Sequence, residues 1–471
     1  MRRMILPITL ALALILGTGL VQAPAMAEPP SQTYLVVVKG KKLPADFADR
    51  IAQAGGTVTY AMPEIGMAVV TGPSTGFPGK IAILGDLIPA FRPSWQFPEM
   101  DLMPNTASPP NAPEDDFYFN LQWGLEAIEA PEAWEEGARG AGVRVAVLDD
   151  GIDSDHPDLA PNLNTDLSIS FVPGEPFEYT MPDPYSHGTW VSGIIAAADN
   201  GWGTIGVAPE AELVMIKVLS SDHTQGSFLA LIQGIYYAGL IQADVINMSL
   251  GARIPKQGFC DDSGVCIGRK GVKALRKALK RATRFARKRG AILIASAGNE
   301  AINLDQDKDY ITLPAEDPNV LAISATGPLG WALDPDTDLD VPAWYTNYGR
   351  SSIDFAAPGG NLDFDLYYAW QQNPNDPANY CTVAGVTNLC AVFDWVLSTG
   401  SQGGYYWASG TSGAAPHVAG VAALIIGQAG GSMKPAKVEK RLRKGADDLG
   451  PPGRDDYYGR GRVNAEESLP H

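Results

Sequence analysis

The sequence predicts an α/β protein, a doubly wound and mostly parallel sheet covered by helices on both faces, preceded by a small α+β unit. Three observations carry that expectation. Beyond Asp115, short apolar runs alternate with segments of helical periodicity. The runs are nearly unbroken, as strands buried on both faces must be. Residues 33 to 80 instead read strand, helix, turn, strand.

In chain order, Arg2 and Arg3 precede an apolar run from Met4 to Val21, and Ala25-Met-Ala27 offers small residues for cleavage before Glu28. Residues 1–27 are therefore expected to be a secretory signal peptide, exporting the protein out of the cell or into a periplasm. Thr33 to Lys39 is a β-rich run, Pro44 to Ala54 a short amphipathic helix, and Gly66 to Thr71 a second β-rich run. These place a small unit in residues 28–98. Arg92 to Glu114 is rich in Pro, Asn, Asp and Ser without periodicity, so residues 99–114 read as a linker or processing region. Strands are expected at Val143–Leu148, Leu213–Leu219, Val245–Leu250 and Ala291–Ala295, with helices at His187–Ala198 and Gln225–Ala238. Residues 361–400 carry Asn, Asp, Tyr and Gly without periodicity and read as a long loop insertion in a main unit spanning 115–471. No later segment is long and apolar enough to cross a bilayer.

A chain of 471 residues with 45% apolar residues can build a large core, which argues against disordered and fibrous classes. Its net charge of −18 argues against nucleic acid as a partner. Arg269 to Arg289 departs from that balance: Val272, Leu275, Leu279, Ala282 and Phe285 recur at helical spacing among Lys and Arg, as on a surface helix with an exposed basic face. Cys260 lies close to Cys266 and Cys381 close to Cys390. Two local disulfides are the simplest of three pairings for an exported chain; free thiols or a four-thiolate metal site fit less well.

Chemistry concentrates in three segments. Asp149-Asp-Gly-Ile-Asp follows the Val143–Leu148 run, placing an acid at a strand's carboxyl end, where active sites of such sheets lie. His187-Gly-Thr-Trp-Val-Ser-Gly opens an apolar helix and crowds small residues around an imidazole that can take a proton near neutral pH. Ser409-Gly-Thr-Ser-Gly-Ala-Ala-Pro-His417 sets Ser412 at the mouth of another apolar helix, where backbone N–H groups and the helix dipole favour an oxyanion. Taken singly, each segment also fits a turn, a structural histidine or a serine cap.

Acid, histidine and serine in that order resemble the subtilisin-like serine proteases, over roughly Gln122 to Ala465. The resemblance implies a subtilisin-like fold preceded by a ferredoxin-like propeptide that acts as chaperone and inhibitor until the enzyme cuts it off. It makes Asp149 the orienting acid, His187 the general base and Ser412 the nucleophile, with Asn299 of Ala295-Ser-Ala-Gly-Asn299 completing the oxyanion hole. Asp150 stands where the family usually has Ser or Thr; Asp149 is chosen because it aligns with the first motif position. Ser249, Leu250, Gly251, Ser296, Ala297 and Gly298 match the walls of the pocket for the residue before the scissile bond, with Thr312 expected at its floor. Gly226 matches the edge strand that pairs with extended substrate. Gly413 departs from the family, which usually has Met after the nucleophile; Pro416 and His417 match its motif and read as structural. A structural calcium ion is implied at Asp116, Asp158, Asn200, Trp202 and Thr204, without an organic cofactor. The expected product is a secreted monomeric endopeptidase acting on protein or peptide substrates, made as a self-processing proenzyme. A rival esterase reading requires Gly-x-Ser-x-Gly followed by acid and then His, a different order.

Overall fold

The computed structural model describes residues 31–91, 104–105, 117–182, 185–221 and 227–470. The expected signal peptide, nearly all of the 99–114 linker, Asp116 and Gly226 lie outside the described residues.

The N-terminal unit runs β1 (Ser31–Val38), α1 (Phe47–Gln53), β2 (Thr57–Met62), β3 (Met67–Pro73), α2 (Phe77–Ile81) and β4 (Gly85–Pro89). Its antiparallel sheet has the order β2-β3-β1-β4, the arrangement of a ferredoxin-like βαββαβ unit. Period-two alternation explains why β1 is unbroken in apolar residues from Tyr34 to Val38. Tyr34, Val36 and Val38 pack with Phe47, Ile51, Phe77 and Ile81 beneath the unit's own helices. Leu35 and Val37 face the other way and join the core of the main unit.

In the main unit, seven parallel strands form one sheet: β5 (Arg144–Asp149), β6 (Ile169–Ser170), β7 (Glu212–Lys217), β8 (Val245–Met248), β9 (Ile292–Ser296), β10 (Val320–Thr326) and β11 (Phe355–Pro358). Their order is β11-β10-β9-β8-β5-β7-β6. Four helices matter to the site: α3 (His187–Ala196), α4 (Phe228–Leu240), α5 (Arg269–Arg289) and, after the insertion described next, α7 (Thr411–Gln428). Side-chain caps fix two of these starts. Ser186 Oγ accepts from Thr189 N at 3.2 Å, and Ser227 Oγ from Ala230 N at 3.2 Å. The second cap sets the start of α4 at Phe228, three residues after the expected Gln225.

The 361–400 segment corrects the sequence reading, since it is not a structureless loop. It holds α6 (Phe364–Gln372), started by Asp363 Oδ1 accepting from Asp365 N and Leu366 N. A hairpin pairs Tyr380–Val383 with Val386–Leu389 across Ala384 and Gly385, both at positive φ, and Cys381–Cys390 closes it. Cys260–Cys266 is the second local disulfide. No period marks α6 because it buries none of its residues.

The basic helix α5 forms over the expected residues, with Val272, Leu275, Leu279 and Ala282 buried. Part of its basic face is not solvated: Lys277 pairs with Asp86 at 2.9 Å, and Arg281 donates to the carbonyls of Ile65 and Gly66 at 3.1 and 3.4 Å. Beside it on α4, the Tyr236 hydroxyl donates to Glu64. The N-terminal sheet thus lies on α4 and α5. Among the described residues no helix is long and apolar enough to cross a membrane.

Candidate active site

Four side chains come from the carboxyl end of the sheet. Asp149 ends β5, His187 opens α3, Asn299 follows β9, and Ser412 is the second residue of α7. Asp149 Oδ1 lies 2.8 Å from His187 Nδ1, both side chains fully buried. With the Nδ1 proton held by the carboxylate, Nε2 is the nitrogen left to act as a base.

Asp150 does different work. Its Oδ1 accepts from Gly188 N at 2.7 Å and its Oδ2 from His187 N at 3.3 Å, so it caps the helix that carries the imidazole. Burial alone would lower the His187 pKa, but the charge and hydrogen bond of Asp149, reinforced by Asp150, hold it above the ordinary imidazole value. The neutral imidazole is the form that can accept a proton, so activity is expected to fall as pH drops through that raised pKa. Asp150→Asn removes a negative charge that favours the imidazolium. It should therefore shift the acid limb of kcat/KM to lower pH, as a pH–rate profile would show. An unmoved limb, or one moved upward, would count against this assignment.

Ser412 is buried, and its Oγ donates to the Ser249 carbonyl at 3.3 Å. In return Ser249 Oγ donates to the Ser412 carbonyl at 2.9 Å, tying the mouth of α7 to the end of β8. Asn299 is oriented by Thr411, whose N and Oγ1 donate to its Oδ1 at 2.9 and 2.8 Å. Both donors take the carbonyl end of the amide, so its NH₂ is the end left to donate to an oxyanion. Asn347 fixes the surrounding loop, accepting from Glu300 N and Ile302 N and donating to the Ala297 carbonyl.

Ser249, Leu250, Ser296 and Ala297 are buried, and Gly251 and Gly298 partly so. At Gly298, with φ of 102°, a Cβ would stand 2.4 Å from Asn347 Nδ2, so only glycine fits. Pairing of Ala252–Pro255 with Tyr310–Leu313 brings Thr312 Cγ2 to 4.0 Å from a Cβ built on Gly251. His417 is buried, with Nδ1 2.7 Å from the Gly413 carbonyl, and burial lowers its pKa to about 4.

Several contributors escaped the sequence reading. Lys217, at the end of β7, is fully buried; it donates to the Asp150 carbonyl and to Ser221 Oγ and pairs with Glu175 at 3.2 Å. A lysine inside the otherwise apolar Leu213–Leu219 run was the available signal. Trp190, one turn along α3 from His187, is also buried, its ring centroid 6.2 Å from the imidazole and its Nε1 donating to the Val396 carbonyl at 3.2 Å. A Cβ on Gly413 would lie 2.8 Å from Trp190 Cη2. The indole thus takes the space that a side chain after Ser412 would need. Gly413→Met should destabilise the fold by about 1–3 kcal/mol through overpacking. Trp190→Ala, itself destabilising because the indole is buried, should in combination give a total loss smaller than the sum of the two single losses, because the two sites compete for one space. Thermal melting of the two single variants and the double variant checks it; additive losses would show that the two positions do not compete.

Of the residues expected to hold calcium, the described ones, Asp158, Asn200, Trp202 and Thr204, are not arranged as a cation shell. Asp158 Oδ2 accepts from Thr204 N at 2.9 Å, Thr204 Oγ1 at 3.4 Å and Tyr405 OH at 3.0 Å, so protein donors converge where a cation would bind. Asn200 donates to the Pro157 carbonyl, and half-buried Trp202 lies in the same loop. Among the described residues no three acidic, His or Cys side chains gather as a metal-ligating group. These residues do not fit the ion as they stand, and no step is assigned to it.

Comparison with known proteins fits this geometry. Residues 140–461 match the model of the subtilase family of S8 peptidases, and the chain belongs to that family. It is accordingly a subtilisin-type serine endopeptidase. Among similar proteins, subtilisin BL of Lederbergia lenta is 33% identical over 347 residues, covering 74% of this chain and 98% of that protein. Subtilisin E of Bacillus subtilis is 33% identical over the same length, covering 74% of this chain and 71% of that protein. The solved epidermin leader peptide processing serine protease (EpiP) of Staphylococcus aureus shares the fold with a TM-score of 0.70 at 22% identity, covering 93% of this chain and 98% of that one. A lanthipeptide protease superposes with a TM-score of 0.56 at 28% identity over 74% of this chain and 94% of that one.

Proposed function

We propose that this chain is a secreted, self-processing proenzyme in which Ser412, His187, Asp149 and Asn299 hydrolyse peptide bonds through an acyl-enzyme. Ser412 Oγ attacks the scissile carbonyl while its proton passes to His187 Nε2. The C–O bond forms, and negative charge collects on the former carbonyl oxygen. The Asn299 amide and the backbone N–H of Ser412 are the donors for that charge. Collapse breaks the C–N bond, and His187 returns the proton to the leaving amine. Water then repeats the sequence and frees the acyl group. His187 keeps its Nδ1 proton throughout, hydrogen-bonded to Asp149, whose carboxylate stabilises the imidazolium.

The observation that carries this reading is the buried 2.8 Å contact between Asp149 and His187, at the same sheet end as a serine on a helix mouth. The N-terminal unit fits the role of chaperone and inhibitor, since it buries apolar residues on α4 and α5. Ser249 to Gly251, Ser296 to Gly298 and Gly226 would bind substrate, largely through its backbone. The two disulfides accord with export. Protein purified from the medium of an expressing culture should cleave casein and begin between about Phe97 and Asp116. Absence of cleavage by the matured protein would overturn the catalytic reading; a mature N-terminus at Glu28 would overturn self-processing.

A further inference from the structure

A cluster of exposed apolar side chains is linked to the turn that carries Ser412. Trp344 and Tyr368 are each 51% exposed and Phe364 38%; the Trp344 and Phe364 rings lie 5.5 Å apart, and the Phe364 and Tyr368 rings 5.9 Å. Leu333, 61% exposed, and Leu329 flank Gly330 and Trp331 in the chain. Buried Asp394 ties the pieces together, because its carboxylate accepts from Gly330 N and Trp331 N at 2.9 and 2.8 Å and its carbonyl from Asn361 N at 3.1 Å. Aromatic side chains gathered on a monomer's surface mark an interaction site.

The patch is continuous with the turn that carries Ser412. Tyr345, next to Trp344, donates through its hydroxyl to the carbonyls of Gly359 and Gly360 at 2.8 and 2.7 Å. Gly410 N donates to that same Gly359 carbonyl at 2.8 Å, and Gly359 Cα lies 3.6 Å from a Cβ built on Gly413. Strand order supplies the direction. The segments assigned to the acyl-side pocket follow β8 and β9, whereas the patch flanks β11 at the edge of the sheet, with Leu329, Leu333 and Trp344 before that strand and Phe364 and Tyr368 after it. An extended chain with its acyl side in that pocket sends its leaving segment toward β11.

We propose that this surface, carried by α6 and the loops beside it, binds the leaving-side segment of the polypeptide substrate through an aromatic or branched aliphatic side chain. The proposal rests on the proteolytic reading above. The insertion thereby supplies selectivity for apolar residues beyond the scissile bond, which backbone pairing on the acyl side does not provide.

Internally quenched peptides, identical up to the scissile bond and carrying Phe or Ala in turn at successive leaving-side positions, test it. At one position the Phe peptide should show a kcat/KM about tenfold above its Ala counterpart, as expected for burying one ring on such a surface. That ratio should fall to about one in Phe364→Ala and, independently, in Tyr368→Ala, both exposed positions. Because the ratio is taken within each variant, a general loss of activity cancels. A ratio near one at every position of the unaltered enzyme, or one that survives both substitutions, overturns the proposal. A peptidyl p-nitroanilide, which has no leaving-side residues, separates the two failures. If it is hydrolysed while no preference is seen, only the surface falls; if it is not hydrolysed, the proteolytic reading falls and the surface with it.

Discussion

Ser412→Ala is expected to abolish peptidase activity and to leave the N-terminal unit attached, so that a larger species is exported. The expected loss in kcat is about 10⁶-fold, a size carried over from subtilisins rather than derived from these distances. The cause is local. Alanine removes the only atom that can form the acyl bond, while the helix mouth, Asn299 and the Asp149–His187 pair are kept. Ser412 is buried, but only a hydroxyl is lost, and its bond to the Ser249 carbonyl is a long 3.3 Å. Folding should therefore survive, and thermal melting near that of the unaltered proenzyme would show it. The docking contacts of Lys277 with Asp86, of Arg281 with Ile65 and of Tyr236 with Glu64 should persist in this variant and hold the N-terminal unit in place. Immunoblotting of the exported protein reads the outcome. Normal processing of this variant expressed alone would assign the cut to another protease.

Asn299→Ala is expected to lower kcat by about 10²–10³-fold with little change in KM, the range known for this donor in subtilisin. Asn299 Oδ1 is held by the N–H and hydroxyl of Thr411, so the amide is positioned before substrate arrives. A donor aimed at charge that appears only in the transition state contributes to kcat and not to ground-state binding. Asn299→Asp should lose as much or more, since it removes the NH₂ and adds a negative charge beside the oxyanion. Steady-state kinetics on a peptide amide separate the two parameters. A rise in KM with kcat unchanged would make Asn299 a binding residue instead.

How much of this could be read from the chain depended on how local the cause was. Asp149, His187 and Ser412 each sit at an end of an apolar element, so period and punctuation brought them forward, while their roles and Asn299 came only with the resemblance to subtilisin-like proteases. The docked face of α5 was hidden, because a basic surface looks the same whether water or Asp86 meets it. The accommodation of Gly413 was hidden for a related reason: it depends on Trp190, far away in sequence and brought close only when α3 packs on α7. The motif that suggested calcium is intact, yet Tyr405 arrives from a distant strand and places its hydroxyl on Asp158. Helix α6 was missed because period reveals only helices with a buried face, and this one has none. Asp150 was noticed as unusual, but its capping of α3 requires the fold.

If the Asp149–His187 pair activates Ser412, a fluorophosphonate should react there in the matured protein, and mapping the adduct by mass spectrometry reads the outcome. A single adduct on Ser412, lost in His187→Ala, is the predicted result. No adduct, an adduct on another serine, or labelling of Ser412 at an undiminished rate in His187→Ala would contradict it.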